Sequence, residues 1–171
     1  MAKLIPFYRK LDKEQMGYTL LMDQQSQQIY KVEHGKINPY TFWITWASLL
    51  AFVRFIQGIQ LSMTEPRSIL IVMGLMIISG MIGVYKYNDV YKEKREVYYS
   101  EYELEEYINK GKTLLKREVN GTIIIFVIFA TLMALFIIYG WMASLVFSLV
   151  FFGTFVYAAC GLPSARFKLY K

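Results

Sequence analysis

Apolar residues in this chain gather into long blocks separated by charged stretches. The clearest block runs from Gly121 to Cys160, GTIIIFVIFATLMALFIIYGWMASLVFSLVFFGTFVYAAC, and holds no Asp, Glu, Lys, Arg or His. A membrane-crossing helix needs roughly 20 apolar residues, so the block is twice too long for one span and about right for two. Tyr139-Gly140-Trp141 at its midpoint sets a turn residue between interface-seeking aromatics. The pattern therefore predicts a helical hairpin, spans 3 and 4. Upstream, span 1 covers about residues 40–61 and opens with Phe42, Trp43 and Trp46 as interfacial anchors. Span 2 covers about residues 68–85, and the short loop SMTEPR joins the two.

The polar stretches carry patterns of their own. Within residues 1–39, GYTLLMD and QIYKVEH are short β-leaning runs separated by the polar tract QQSQ, which predicts a small hairpin with a loop of four or five residues. An isolated hairpin is marginally stable in water and needs support from another segment, the membrane face or a partner. Asn38-Pro39 marks a turn before span 1, because proline restrains its predecessor away from helix. In the middle loop, Ser100 and Glu103 form a capping-box pattern that starts a helix over YELEEYINKGKTLLKRE. Leu104, Tyr107, Ile108, Gly111 and Leu115 fall on one face of it. Glutamates crowd its first part and Lys110, Lys112, Lys116 and Arg117 its last, each suiting the helix dipole. Residues 86–99 read as a prolongation of span 2. Gly111 either breaks the helix or lets it pack closely.

These elements define an all-α integral membrane protein. Four transmembrane helices form two hairpins, with a small N-terminal β-hairpin and an amphipathic cytoplasmic helix. The segments are 1–39 (cytoplasmic, with the hairpin), 40–85 (first transmembrane hairpin), 86–119 (cytoplasmic helical loop), 120–161 (second transmembrane hairpin) and 162–171 (cytoplasmic tail).

Composition agrees with a lipid solvent. Hydrophobic residues make up 56% of the 171, more than a soluble domain of that length can hide. Six Lys and Arg lie in residues 1–39, eight in 86–119 and three in the tail, whereas the two alternate loops hold only Arg67. The positive-inside rule then places both termini and the middle loop in the cytoplasm, giving a multi-pass protein of the cell membrane. The same distribution assigns the net charge of +6 to orientation rather than to nucleic acid. The first residues lack the apolar core and cleavage site of a signal peptide, so span 1 is expected to serve as the insertion signal.

Little in the sequence can carry chemistry. One Cys and one His exclude an internal disulfide, a CxxC pair and a His-based metal cluster within the chain. No predicted span contains Asp, Glu or His, and neither a Walker A sequence nor a GxSxG elbow is present. The expectation is a protein that is not an enzyme and needs no cofactor. Arg54 is the one charge inside a span, followed by Gln57 and Gln60. It either snorkels to the outer surface or contacts neighbouring helices, or else recognises a polar group of a partner. Small residues recur four apart at Ser79/Gly83, Ala130/Ala134 and Ser144/Ser148, where helix backbones can approach closely. Arg54, Gln57, Ser79, Gly83, Ser144 and Ser148 are thus the candidate partner-binding residues, against packing within the chain. Cys160 reads as a small inert residue, with palmitoylation as the alternative. His34 reads as a solvated loop residue. The tyrosines from Tyr85 to Tyr107 line either the headgroup region or a cytoplasmic packing face.

The segment YTLLMDQQSQQIYKV, followed by INPYTFW and short hairpinned spans, weakly resembles small multi-pass immunity proteins of Gram-positive bacteria, such as the tandem five-transmembrane family. The likeness covers about the first third of the chain, and that family has five spans where this sequence shows four. It implies neutralisation of a membrane-inserting toxin by binding it in or at the bilayer. The other reading is an accessory or scaffold subunit of a membrane secretion, conjugation or export complex. Either way the partners are the bilayer and another membrane protein, with homo-oligomerisation left open and no nucleic acid.

Overall fold

The run from Tyr18 to Glu33 folds as its alternation requires, into two antiparallel strands around a five-residue loop. In the computed structural model, which describes residues 4–10, 17–34, 38–56, 58–59 and 65–170, these are β2 (Tyr18–Asp23) and β3 (Ile29–Glu33). Asp23 organises the loop: its carboxylate accepts from the Gln25 backbone N–H at 3.1 Å and the Ser26 hydroxyl at 2.9 Å. These bonds hold its pKa below the usual carboxylate range. Gln27 takes a left-handed φ of 55° to complete the reversal.

The hairpin is not alone, and the chain is not all-α. Two further strands, β1 (Leu4–Lys10) and β4 (Arg95–Glu96), extend it to a four-stranded antiparallel sheet in the order β1-β2-β3-β4. β1 pairs Ile5 with Met22 and Tyr8 with Leu20, and its register shifts between Pro6 and Tyr8. Proline has no N–H for the ladder and is tolerated at an edge or a bulge; here it has both, with Phe7 as the extra residue. β4 comes from the middle loop and pairs Lys31 with Arg95. Residues 86–99 therefore do not simply prolong the second long helix, which ends at Val90 before the chain turns back to the sheet.

The sheet and the start of the middle helix share one core. Phe7, Leu20 and Ile29 are buried there against Leu104, Tyr107, Ile108, Leu169 and Tyr170. That helix, α3 (Glu101–Tyr139), begins as the capping box requires. The Ser100 backbone N–H donates to the Glu103 carboxylate at 3.0 Å, and the Glu103 N–H donates to Ser100 Oγ at 3.4 Å. α3 then continues without interruption for 39 residues, joining the expected cytoplasmic helix and span 3 in one element. Gly111 does not break it. A Cβ there would collide with the Phe7 carbonyl oxygen and the Tyr170 hydroxyl, so glycine is what lets α3 lie against the bulge of β1. The tail also folds, as the short helix α5 (Ser164–Leu169), with Ala165 and Arg166 buried.

The chain divides into two compact units. A strand unit comprises Met1–Lys36, Lys86–Gly121 and Ala158–Lys171; a helical unit comprises Ile37–Tyr85 and Thr122–Tyr157. The helical unit is built from α1 (Pro39–Ile56), α2 (Pro66–Val90), α3 and α4 (Met142–Cys160), of which α2, α3 and α4 contribute to both units. α2, α3 and α4 are each long and apolar enough to cross a membrane, and α1 is a shorter apolar helix. α3 turns into α4 at Gly140, whose φ of 68° and N–H bond to the Phe136 carbonyl at 2.8 Å make a left-handed helix cap. Below that turn Val72, Phe136 and Leu145 form a buried cluster with Met76, Met133, Met142 and Leu149. Most apolar side chains of α1 and α2 face outward, as do many of α3, whereas those of α4 are mostly half-buried.

Candidate functional site

The small residues of α2 and α4 meet each other. Ser79 Oγ donates to the Leu149 carbonyl at 2.6 Å, crossing between the helices. Four residues on, a Cβ at Gly83 would stand 2.5 Å from the Gly153 carbonyl oxygen and 3.2 Å from both the Tyr157 nitrogen and the Val156 Cβ. The backbones approach this closely because neither position has bulk. Ser144 and Ser148 are buried and turn their hydroxyls onto their own helix, to the Trp141 and Leu145 carbonyls at 2.6 and 2.7 Å. These four candidate residues are thus occupied within the chain. Ala130 and Ala134 are exposed on α3. Gly83→Ala is expected to cost about 1–3 kcal/mol by overpacking. Gly74→Ala on the same helix, where a Cβ meets nothing within 4 Å, should leave a detergent melt unchanged, and equal melts for the two would contradict the tight crossing.

Arg54 lies apart from that crossing. On α1, Leu49 is half-buried and Val53 and Ile56 are buried, an inward stripe at helical spacing. The opposite side shows Trp43, Ala47, Ala51, Arg54 and Phe55, all exposed, with Phe55 84% accessible. Gln57 lies outside the described residues. Trp46, by contrast, leans toward α4, its ring 6.4 Å from that of Phe147.

The strand unit holds a second group of polar residues, most of which sequence reasoning passed over. His34 is not a solvated loop residue. It is half-buried, and its Nε2 lies 2.7 Å from the hydroxyl of Thr19, which is 1% exposed. The same hydroxyl accepts from Arg9 Nε at 3.2 Å, and Arg9 Nη2 donates to the Tyr91 hydroxyl at 3.0 Å. In the same unit, Arg166 is buried, bonded through Nη1 to the Glu118 carboxylate and, at 2.9 Å, to the Gly161 carbonyl. In sequence both arginines look like orientation charges, since partners 10, 82 or 48 positions away leave no local pattern.

Some of the tyrosines line a packing face and others are exposed. Tyr107 packs its ring at a tilt against Tyr8 and edge-on to Tyr99, with centroids 4.8 and 5.3 Å apart, and lines the core of the strand unit. Burial raises the phenol pKa of Tyr18 and Tyr99, which holds both hydroxyls protonated. Tyr98 and Tyr102 point outward, 85% and 79% exposed, beside the exposed Glu101 and Glu105. Cys160 is half-buried at the end of α4. Among the described residues, no group of three or more His, Cys, Asp and Glu side chains is placed to hold a metal ion.

No protein-family model matches the chain, and neither a curated protein nor a solved structure matches it.

Proposed function

We propose that this chain is a non-catalytic, four-span protein of the cell membrane that works by binding another membrane protein, as an immunity-type inhibitor of a membrane-inserting toxin. The observation that carries this reading is the outer side of α1, where Arg54 stands exposed among aromatic and small residues while the opposite stripe is buried. An arginine at a lipid-facing position is costly unless it reaches water, headgroups or a polar partner. Ala47 and Ala51 leave room beside it for a helix of that partner. The helices suit the bilayer in length. Even α1, with 18 residues, rises about 27 Å against a hydrocarbon core of about 30 Å. The Lys and Arg distribution supports cytoplasmic termini and a cytoplasmic strand unit.

Two experiments test the proposal. Cysteine labelling at Lys92 in intact cells should be negative from outside; accessible Lys92 would overturn the topology. Deleting the gene should sensitise the cell to toxins encoded beside it, and Arg54→Leu should lower protection at least tenfold at unchanged expression, about 1.4 kcal/mol of binding. Full resistance in the deletion strain would remove the immunity reading.

The second reading is an accessory subunit of a secretion, conjugation or export complex. Exposed Tyr98 and Tyr102 beside Glu101 and Glu105 favour it, because aromatic residues on an open polar surface are suited to docking. Purification from the native host separates the two. A stoichiometric ATPase or channel subunit supports the accessory role, and a lone monomer or homodimer opposes it.

A further inference from the structure

Arg9, Thr19 and His34 connect three successive parts of the sheet. Arg9 pairs with Thr19 across β1 and β2, Thr19 pairs with Val32 across β2 and β3, and His34 follows β3 with its backbone N–H on the Gly17 carbonyl at 2.7 Å. The Thr19 hydroxyl has a single proton. Its oxygen accepts from Arg9, and His34 Nε2 lies 2.7 Å away. With the hydroxyl proton directed at Nε2, that nitrogen is a bare acceptor, the ring proton is on Nδ1 and the imidazole is neutral. Arg9 carries the network on to Tyr91, the first residue past α2.

A second proton on the ring reverses this arrangement. Nε2 becomes a donor, the Thr19 hydroxyl must turn its own proton away to receive it, and the new, half-buried cation faces the Arg9 guanidinium. Among the described residues, the groups facing the imidazole are Arg9 from β1, Thr19 from β2 and, through Arg9, Tyr91 after α2. Glu33, next in the chain, is held by Lys31 at 3.2 Å, and both belong to the opposite face of the sheet. We propose that Arg9, Thr19 and His34 form a proton-sensitive latch: the neutral imidazole keeps the sheet closed on the end of α2, and mild acid releases it.

The direction follows from linkage. Burial, and then the Arg9 charge, lowers the His34 pKa from its ordinary 6.5. The closed form therefore binds the proton less tightly than the open form. Its stability is complete above about pH 6.5 and declines as the pH falls below that value, until the lowered pKa is passed. One proton taken up on opening raises the opening constant by up to about tenfold per pH unit across that window.

Hydrogen exchange on the full chain in lipid nanodiscs reads this directly. Corrected for intrinsic rate, amides of β1 and β3 should lose protection between about pH 7 and pH 5. His34→Gln, which keeps an acceptor that does not titrate, should stay protected throughout. Equal acid opening in H34Q, or no opening in the unaltered protein, overturns the proposal. The ring itself gives a second readout that needs no variant. Imidazole nitrogen shifts showing an Nδ1-protonated neutral ring with a midpoint below 6.5 support the latch. An Nε2–H tautomer, or a midpoint at or above that value, overturns it.

Discussion

Gly111→Ala is expected to destabilise the strand unit by about 3 kcal/mol, the upper range for an added methyl in a full site. The new Cβ would stand inside contact distance of the Phe7 carbonyl oxygen and the Tyr170 hydroxyl. Neither can retreat without breaking their mutual hydrogen bond, which closes the bulge of β1 against the tail. Tyr170→Phe removes the hydroxyl alone and isolates about 1 kcal/mol of the effect. Gly121→Ala provides the contrast within α3. Its Cβ meets nothing within 4 Å, so the change should be neutral or add up to about 1 kcal/mol through helix propensity. Denaturant unfolding followed by tyrosine fluorescence would report the difference. Coincident curves for the two glycine variants would show that α3 does not rest on β1.

The second large effect is expected at Glu118→Gln. Arg166 is 2% exposed, and Glu118 supplies the anion that faces it. Removing one partner of a buried pair strands the other charge, which costs about 3–5 kcal/mol when both groups are fully buried. The Glu118 side chain is 28% exposed, so water recovers part of the loss and about 2–3 kcal/mol is the better figure. Replacing both residues, as Glu118→Leu with Arg166→Met, should be milder than the single change, because no charge is then left unmatched. A double-mutant cycle in denaturant measures this. A silent Glu118→Gln would mean that the Gly161 carbonyl alone suffices for Arg166.

What the sequence discloses in this protein is mostly local. The capping box at Ser100 is legible because its two partners are three residues apart. The Gly140 turn is legible because it sits at the middle of an uncharged block. The β2–β3 hairpin shows because its strands alternate around a polar loop. β1 does not, since Pro6 interrupts the run and a charged stretch follows, and only β2 makes it a strand. β4 is two residues long and carries no pattern of its own. The small-residue spacing located Ser79 and Gly83 but not Gly153, the opposite side of the same contact, because spacing within one helix says nothing about its neighbour. Arg9, His34 and Arg166 escaped for the same reason. Their meaning lies in residues remote along the chain, and an isolated charged or imidazole side chain reads by default as solvated.

The hydrogen bond from Tyr170 to Phe7 joins positions 163 residues apart in the chain. During synthesis, β1 leaves the ribosome early, but its clasp arrives only after all the apolar helices have been made. Until then the bulge carbonyl and the notch at Gly111 wait without their third member. The clasp on the β1 bulge thus closes only once the last helix has been delivered, so a chain cut short before α5 would leave the Phe7 carbonyl and the Gly111 notch open to quality control.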